Sequence, residues 1–388
     1  MIGKSLGRSP LAKSKQARAL KLLSTGLVVS IAALTAGMVV AVASPTPGVA
    51  LSSSVSSSAS ATSSPLSDRA GYSTGNLILT EPNAELTTDL NDMSQAGGTW
   101  LRLNFSRANM QPTPTSISWA QTDRVVTAAS ARGFKIIGVI SYSPAWDRPP
   151  GTSWQWAPSD PSYFATFAAA VAARYAPQQV NVWEIWNEPN SAEYWAPKPD
   201  PVAYAHLLEA TSVAIHAVNS KAVVLSGGLS PVATTPSGSD IAPKAFLQAV
   251  YQAGAGPFFD GVAIHPYSYP YLPTDTAGGA SNGFAQLPAI HDLMVSHGDA
   301  QKSVWLTEYG APTGTSTHAI SEARQAQMVQ LALGQIRQWP WISVLLWYSP
   351  RDKAADPQNP DDNFGLVRYD FSLKPSFAAF RSAVLGSQ

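Results

Sequence analysis

From about residue 68 onward, short runs of β-branched and aromatic residues alternate with Ala-rich stretches whose apolar positions recur at helical spacing. The strand-like runs are Asn76–Thr80, Thr99–Asn104, Lys135–Ser141, Val180–Asn187, Ala222–Gly227, Gly261–His265, Ser303–Glu308 and Ser343–Trp347. Between them the pattern predicts helices, among them Ala84–Gln95, Trp119–Arg132, Pro161–Tyr175, Pro201–Val218, Ala242–Gln252, Leu287–Val295 and Ala319–Gln338. Boundary chemistry agrees. Ser159-Asp160-Pro161 opens a helix with proline just inside, and Gly133 follows Arg132 to stop another. Ile136-Ile137-Gly138-Val139-Ile140 and Val344-Leu345-Leu346-Trp347 are apolar on both faces, as a parallel strand covered by helices must be. Eight such units predict an α/β fold, a (β/α)8 TIM barrel over residues 68–388. A doubly wound open sheet is the rival, but no Gly-rich phosphate loop follows the first strand.

The pattern changes before residue 68. Residues 1–43 carry six bases (Lys4, Arg8, Lys13, Lys15, Arg18 and Lys21) and no acid, and an apolar run extends from Leu22 to Ala43. With Ala41-Val42-Ala43 ahead of Ser44-Pro45, this reads as a signal peptide with an A-x-A cleavage site. The run is also long enough to span a bilayer, so an uncleaved membrane anchor through residues 22–43 competes with it. Either reading exports the body, secreted or tethered to the outer face of the cytoplasmic membrane. Residues 44–67 are mostly Ser, Ala, Thr, Pro and Val and read as a flexible linker.

Composition then removes several function classes. Of 388 residues none is cysteine, which excludes a disulfide framework, a thiolate metal site and a cysteine nucleophile. The whole chain balances 25 bases against 25 acids, so the body beyond the basic leader is acidic and poorly suited to a phosphate backbone. No nucleic-acid partner is therefore expected. His206, His216, His291, His297 and His318 lack metal-ligand spacing, and neither a metal nor another cofactor is expected. A monomer is the expected state.

In such barrels the chemistry sits at the C-terminal ends of the strands. Those positions hold Arg102-Leu103-Asn104, Ser141-Tyr142-Ser143-Pro144-Ala145-Trp146, Trp186-Asn187-Glu188-Pro189-Asn190, His265-Pro266-Tyr267, Thr307-Glu308-Tyr309-Gly310 and Trp347-Tyr348-Ser349-Pro350. Glu188 and Glu308 end strands four and seven. Two facing carboxyl groups among aromatics suit glycosidic cleavage, one protonated to donate to the leaving oxygen and one ionised to attack the sugar carbon. Arg102, aimed at Glu308, would keep it ionised. Asn187 offers an amide to a sugar hydroxyl, and Tyr and Trp faces offer apolar platforms to the sugar ring.

Val182-Trp183-Glu184-Ile185-Trp186-Asn187-Glu188-Pro189-Asn190 and Trp305-Leu306-Thr307-Glu308-Tyr309-Gly310 resemble the acid/base and nucleophile signatures of the clan A retaining glycoside hydrolases. The nearest likeness is to the β-glucanase-like and β-xylosidase-like families, 5 and 39. The resemblance runs over about residues 75–385. It implies Glu188 as acid/base, Glu308 as nucleophile, Asn187 as partner of the sugar 2-hydroxyl, and retention of configuration. It also implies that Arg102, His265 and Tyr267 surround the nucleophile and that Trp347 floors the reacting-sugar subsite. Phe371-Ser372-Leu373-Lys374-Pro375-Ser376 resembles the barrel-closing segment of these enzymes. Many glucanase-like members carry a histidine near the end of strand three, where this chain has Ser141-Tyr142-Ser143.

Each residue has a competing structural role. Glu188 and Glu308 could be buried ion-pair partners, Arg102 a salt bridge in the barrel mouth, His265 a core histidine, Asn187 a turn-capping amide. Glu184 fits structural pairing inside the barrel or positioning of the site. Tyr142 and Trp146 are candidate substrate contacts after strand three; Trp146, Trp154, Trp156 and Trp195 could equally be packing of long loops. Pro266–Asn282 and Arg351–Asn363 are the expected subsite walls. The sequence thus points to an exported retaining glycosidase acting on a β-linked oligo- or polysaccharide through a glycosyl–Glu308 intermediate. Its alternatives are a catalytically silent carbohydrate-binding barrel and a cell-wall transglycosylase using the same carboxylates.

Overall fold

The structure, a computed structural model, describes residues 65–386. Residues 1–43, where the sequence predicts a signal peptide or anchor, and all of the expected linker 44–67 but its last three residues lie outside them. The fold already takes in Leu66, which is buried, and Ser67, whose carbonyl accepts a hydrogen bond from Thr99 Oγ1 at 2.7 Å. Among the described residues no helix is long and apolar enough to cross a membrane.

Eight strands close a barrel in sequence order, every neighbouring pair parallel. They are β1 (Ala70–Ser73), β2 (Trp100–Ser106), β3 (Lys135–Ser141), β4 (Val182–Asn187), β5 (Val223–Gly228), β6 (Gly261–Ile264), β7 (Ser303–Tyr309) and β8 (Ile342–Tyr348). Helices lie between them in the order α1 (Leu77–Thr80), α2 (Asn83–Ala96), α3 (Arg107–Met110), α4 (Ala120–Ser130), α5 (Pro161–Tyr175), α6 (Pro201–Val218), α7 (Pro243–Gln252), α8 (Gly283–Ser296) and α9 (Glu322–Gln338), with α10 (Pro375–Leu385) after β8. The cap signals do what their chemistry requires. Asp160 accepts from the Ser162 amide at the head of α5, and Asp200 accepts from those of Val202 and Ala203 at the head of α6, each with proline in the first turn.

The alternation of side chains along each strand splits the core into two layers. Ile137, Val182, Leu225, Ala263, Trp305, Val344 and Leu346 fill the barrel interior. Leu101, Leu103, Phe105, Ile136, Ile140, Trp183, Ile185, Leu345 and Trp347 belong to the larger layer between barrel and helices. Burying each such aliphatic side chain contributes roughly 1.5–3 kcal/mol, so the barrel needs no covalent staple.

One element departs from the sequence reading. Asn76–Thr80 is not the first strand: Leu77–Thr80 is a helical turn, and the strand is the preceding Ala70–Ser73. Ala70 and Gly71 carry no β-branched signature, yet the site demands small residues. A Cβ on Gly71 would stand 2.1 Å from the Trp100 carbonyl oxygen. Leu77-Ile78-Leu79 is apolar but too short for its period to separate helix from strand.

Candidate active site

Two departures from regular strand geometry deliver the carboxylates. In β4, strict alternation after Val182 and Glu184 would aim Trp186 into the barrel. Instead Trp186 adopts φ +74°, its ring packs on Phe164 and Trp195, and its indole N–H donates to the Tyr194 carbonyl at 2.8 Å. Glu188 follows at φ +48°, its amide bonded to the Gly228 carbonyl at 3.0 Å. Left-handed backbone at bulky residues is costly, and it persists where the surroundings over-determine it. Here Asn190 supplies that restraint, donating to Ser230 and Ile241 carbonyls and accepting from the Ser230 amide. In β7 the register against β8 shifts between Leu306 and Tyr309, a bulge that re-aims Glu308 toward the mouth.

The two carboxyl groups meet in a single cavity of about 460 Å³. His265 lies between them, its Nδ1 2.8 Å from Glu188 Oε1 and 3.8 Å from Glu308 Oε2. Those two legs bound the gap between these oxygens. Their combined length only just reaches the roughly 6.5–9.5 Å of an inverting pair and encompasses the roughly 5–5.5 Å of a retaining one.

A polar frame holds Glu308. Tyr267 donates to its Oε2 at 2.7 Å, and Arg102 Nη1 donates to its Oε1. Arg102 is itself gripped by Glu184, through Nε at 3.0 Å and Nη2 at 2.7 Å, and its Nη2 also donates to Asn187 Oδ1 at 3.0 Å. Glu184 is fully buried and accepts a further bond from the Gly228 amide at 3.0 Å. With its carbonyl engaged by Arg102, Asn187 keeps its NH2 as a donor, with the Tyr142 hydroxyl beside it.

The neighbours drive the two carboxyls apart. Burial pushes Glu188 above the usual carboxylate range, against the opposing pull of His265. Burial acts on Glu308 in the same direction, but His265, Arg102, Tyr267 and Lys353 together bring it below its ordinary value. One group is thus disposed to carry a proton and the other to be ionised, the division that acid/base and nucleophile require. Burial lowers His265, but the surrounding Glu308 and Glu188 charges raise it net.

The candidate residues do not all share this place. Arg102, Asn187, His265 and Tyr267 surround the two carboxylates as described. Tyr142, at φ +71°, packs edge-on against Trp154 and Trp186, beside the cavity rather than on its lining. Trp146 turns away: its N–H donates to the Gln111 carbonyl at 3.0 Å, and the Arg107 guanidinium lies 4.7 Å over its ring. Trp347 does not floor the cavity, contrary to expectation. It is fully buried in the outer layer, its N–H bonded to the Phe364 carbonyl at 3.1 Å, because β8 points Val344, Leu346 and Tyr348 inward and Trp347 outward. Tyr348 takes the cavity position instead. Tyr194, Ser230 and Phe364 also line the cavity, and no sequence motif marks them. Both expected walls contribute, the first through Tyr267, Tyr269 and Ser281, the second through Lys353 and Asp361.

The family model described as cellulase, glycosyl hydrolase family 5, matches residues 60–349. The chain belongs to that family. Among solved structures, this family 5 chain is similar to a family 39 glycoside hydrolase from the gut symbiont Bacteroides cellulosilyticus, at 26% identity and a TM-score of 0.66, over 82% of this chain and 64% of that one. It spans less than two thirds of that protein's length. It shares its fold with a family 39 β-xylosidase from Caulobacter crescentus, at 19% identity and a TM-score of 0.61, over 82% of this chain and 71% of that one. It shares it also with a family 5 (subfamily 18) protein from Streptomyces cattleya in complex with Manβ1-4GlcNAc, at 19% identity and a TM-score of 0.63, over 82% and 80% of the two chains. No curated protein sequence matches this family 5 chain.

Proposed function

We propose that this protein is an exported retaining glycosidase that cleaves a β-linked oligo- or polysaccharide by double displacement, working as a monomer. The observation that carries the reading is the pair Glu188 and Glu308, in one cavity, with pKa values displaced in opposite directions. In the first step a Glu308 oxygen attacks the anomeric carbon while the bond to the leaving oxygen breaks and Glu188 gives that oxygen its proton. In the second step Glu188, now ionised, takes a proton from water as the water oxygen displaces Glu308 from the same carbon. Arg102 and Tyr267 keep Glu308 oriented and charged; the Asn187 amide donates to the hydroxyl beside the reacting carbon. The basic leader and apolar run of residues 1–43 support export, by secretion or through a membrane tether at residues 22–43.

Replacing each carboxylate tests the roles separately. Glu308→Gln abolishes turnover of every glycoside. Glu188→Ala slows substrates with poor leaving groups by about 10²–10⁴-fold, the usual contribution of a general acid, and spares cleavage of aryl glycosides whose leaving group needs no proton. Steady-state rates on a graded series of aryl glycosides measure both; full activity in Glu308→Gln would overturn the assignment.

A further inference from the structure

The cavity contains one cation that takes no proton or covalent part in the two-step reaction. Lys353, on the segment after β8, lines it together with Glu188 and Glu308. Its ammonium lies 4.9 Å from the centre of the Tyr348 ring. Lys135, Lys302 and Lys374 have carboxylate partners, and Lys198, Lys221 and Lys244 are exposed to water. Among the described residues Lys353 is the half-buried lysine whose ammonium has neither an ion-pair partner nor a hydrogen-bond acceptor.

The backbone beneath it is fixed. Arg351 is buried against Glu81 and Asp89. Asp352 accepts from the Gly365 amide and from Lys374 Nζ, both at 2.7 Å. The Lys353 amide donates to the Asp362 carbonyl at 2.9 Å. A cation held out by so rigid a strap, half-buried and with no carboxylate within ion-pair distance, is positioned to meet an opposite charge on a ligand.

Building on the glycosidase reading above, we propose that Lys353 is a specificity-determining residue that binds an anionic group on the glycan, a uronic acid carboxylate or a sulfate ester, in the catalytic cavity. Lysine suits this role as a compact point charge that imposes no planar bidentate geometry. The Ser230, Ser281, Tyr194 and Tyr269 side chains on the same lining leave hydroxyl chemistry for the neutral part of the sugar. Asp361 shares the cavity but is exposed and forms no ion pair with Lys353, so it is placed to accept from a sugar hydroxyl.

Lys353 also helps hold Glu308 ionised, so its removal slows every substrate. The decisive readout is therefore a ratio measured within one enzyme. The full chain is assayed on aryl β-glycosides matched in ring configuration and differing only at C6: hydroxymethyl, carboxylate or sulfate ester. The wild type prefers one anionic member, and which member it prefers identifies the group. Lys353→Gln lowers the anionic-to-neutral ratio of kcat/KM about 10–100-fold, the effect of one charge-assisted hydrogen bond. Lys353→Arg retains the preference and shows that Lys353→Gln did not act through misfolding. A wild type that turns over only the neutral member, or a ratio unchanged in Lys353→Gln, overturns the proposal and leaves the glycosidase reading standing. Turnover of no glycoside in any series overturns that reading instead.

Discussion

His265 stands among three carboxylates, Glu184, Glu188 and Glu308, and is the residue through which the cavity's proton inventory is balanced. Its positive charge holds Glu308 down, so without it Glu308 retains its proton to higher pH. The proposed reaction needs Glu308 ionised and Glu188 protonated, which gives a bell-shaped profile with its acid limb set by the first and its alkaline limb by the second. In His265→Gln the acid limb of kcat/KM moves upward, toward the ordinary carboxylate range. A pH profile on an activated aryl glycoside, insensitive to Glu188, isolates that limb; an unmoved limb would deny His265 this influence. At this scale the sequence was legible wherever a residue type carried its own chemistry: the two glutamates and Tyr267 line one cavity, and Arg102, Asn187 and His265 stand against them. It was silent where geometry decides. Trp347 and Tyr348 are equally plausible platforms on paper, and only the parity of β8 separates them. Glu184 shows its purpose only when Arg102 is seen bridging it to Glu308 and Asn187.

The elements show why parity could not be counted from the sequence. The left-handed backbone at Trp186 and Glu188 and the bulge in β7 each interrupt alternation at the residue that matters. The interior strands were read within two or three residues, because a run such as Ile136–Ile140 must be buried on both faces. β1 was misplaced because close approach there excludes the bulky residues that mark a strand. A similar demand for smallness recurs at the end of β5. A Cβ on Gly228 would stand 2.1 Å from His265 Nε2. Gly228→Ala should therefore displace the imidazole and lower kcat/KM about 100-fold, the cost of misplacing a catalytic group by about an ångström. Thermal unfolding close to that of the wild type would accompany that loss, since β5 keeps its pairing; undiminished activity would show that the imidazole position is not critical.

Across the whole molecule, the β1–β8 ladder closes the ring and Arg351 ties its two ends together outside the sheet. It joins the segment after β8 to the first unit, pairing with Glu81 at 3.0 Å, Glu85 at 2.9 Å and Asp89 at 2.9 Å. Even so paired, Glu81 is pushed up to about 8, first by burial and then by Asp89. Arg351→Met leaves buried carboxylates unpaired and should cost about 3–5 kcal/mol in chemical denaturation at pH 8. The loss should shrink at pH 5, where Glu81 holds a proton and needs Arg351 less; a loss independent of pH would mean packing, not charge, is what Arg351 supplies. The cavity has a lopsided ancestry within this ring. Every residue on its lining falls between Glu188 and Phe364, while the first three strands act from behind it, chiefly through Arg102 of β2, which donates to Glu308. The leading three-eighths of the barrel therefore steadies the nucleophile without walling the sugar, and exchanging the remainder between related barrels would carry substrate preference across with it.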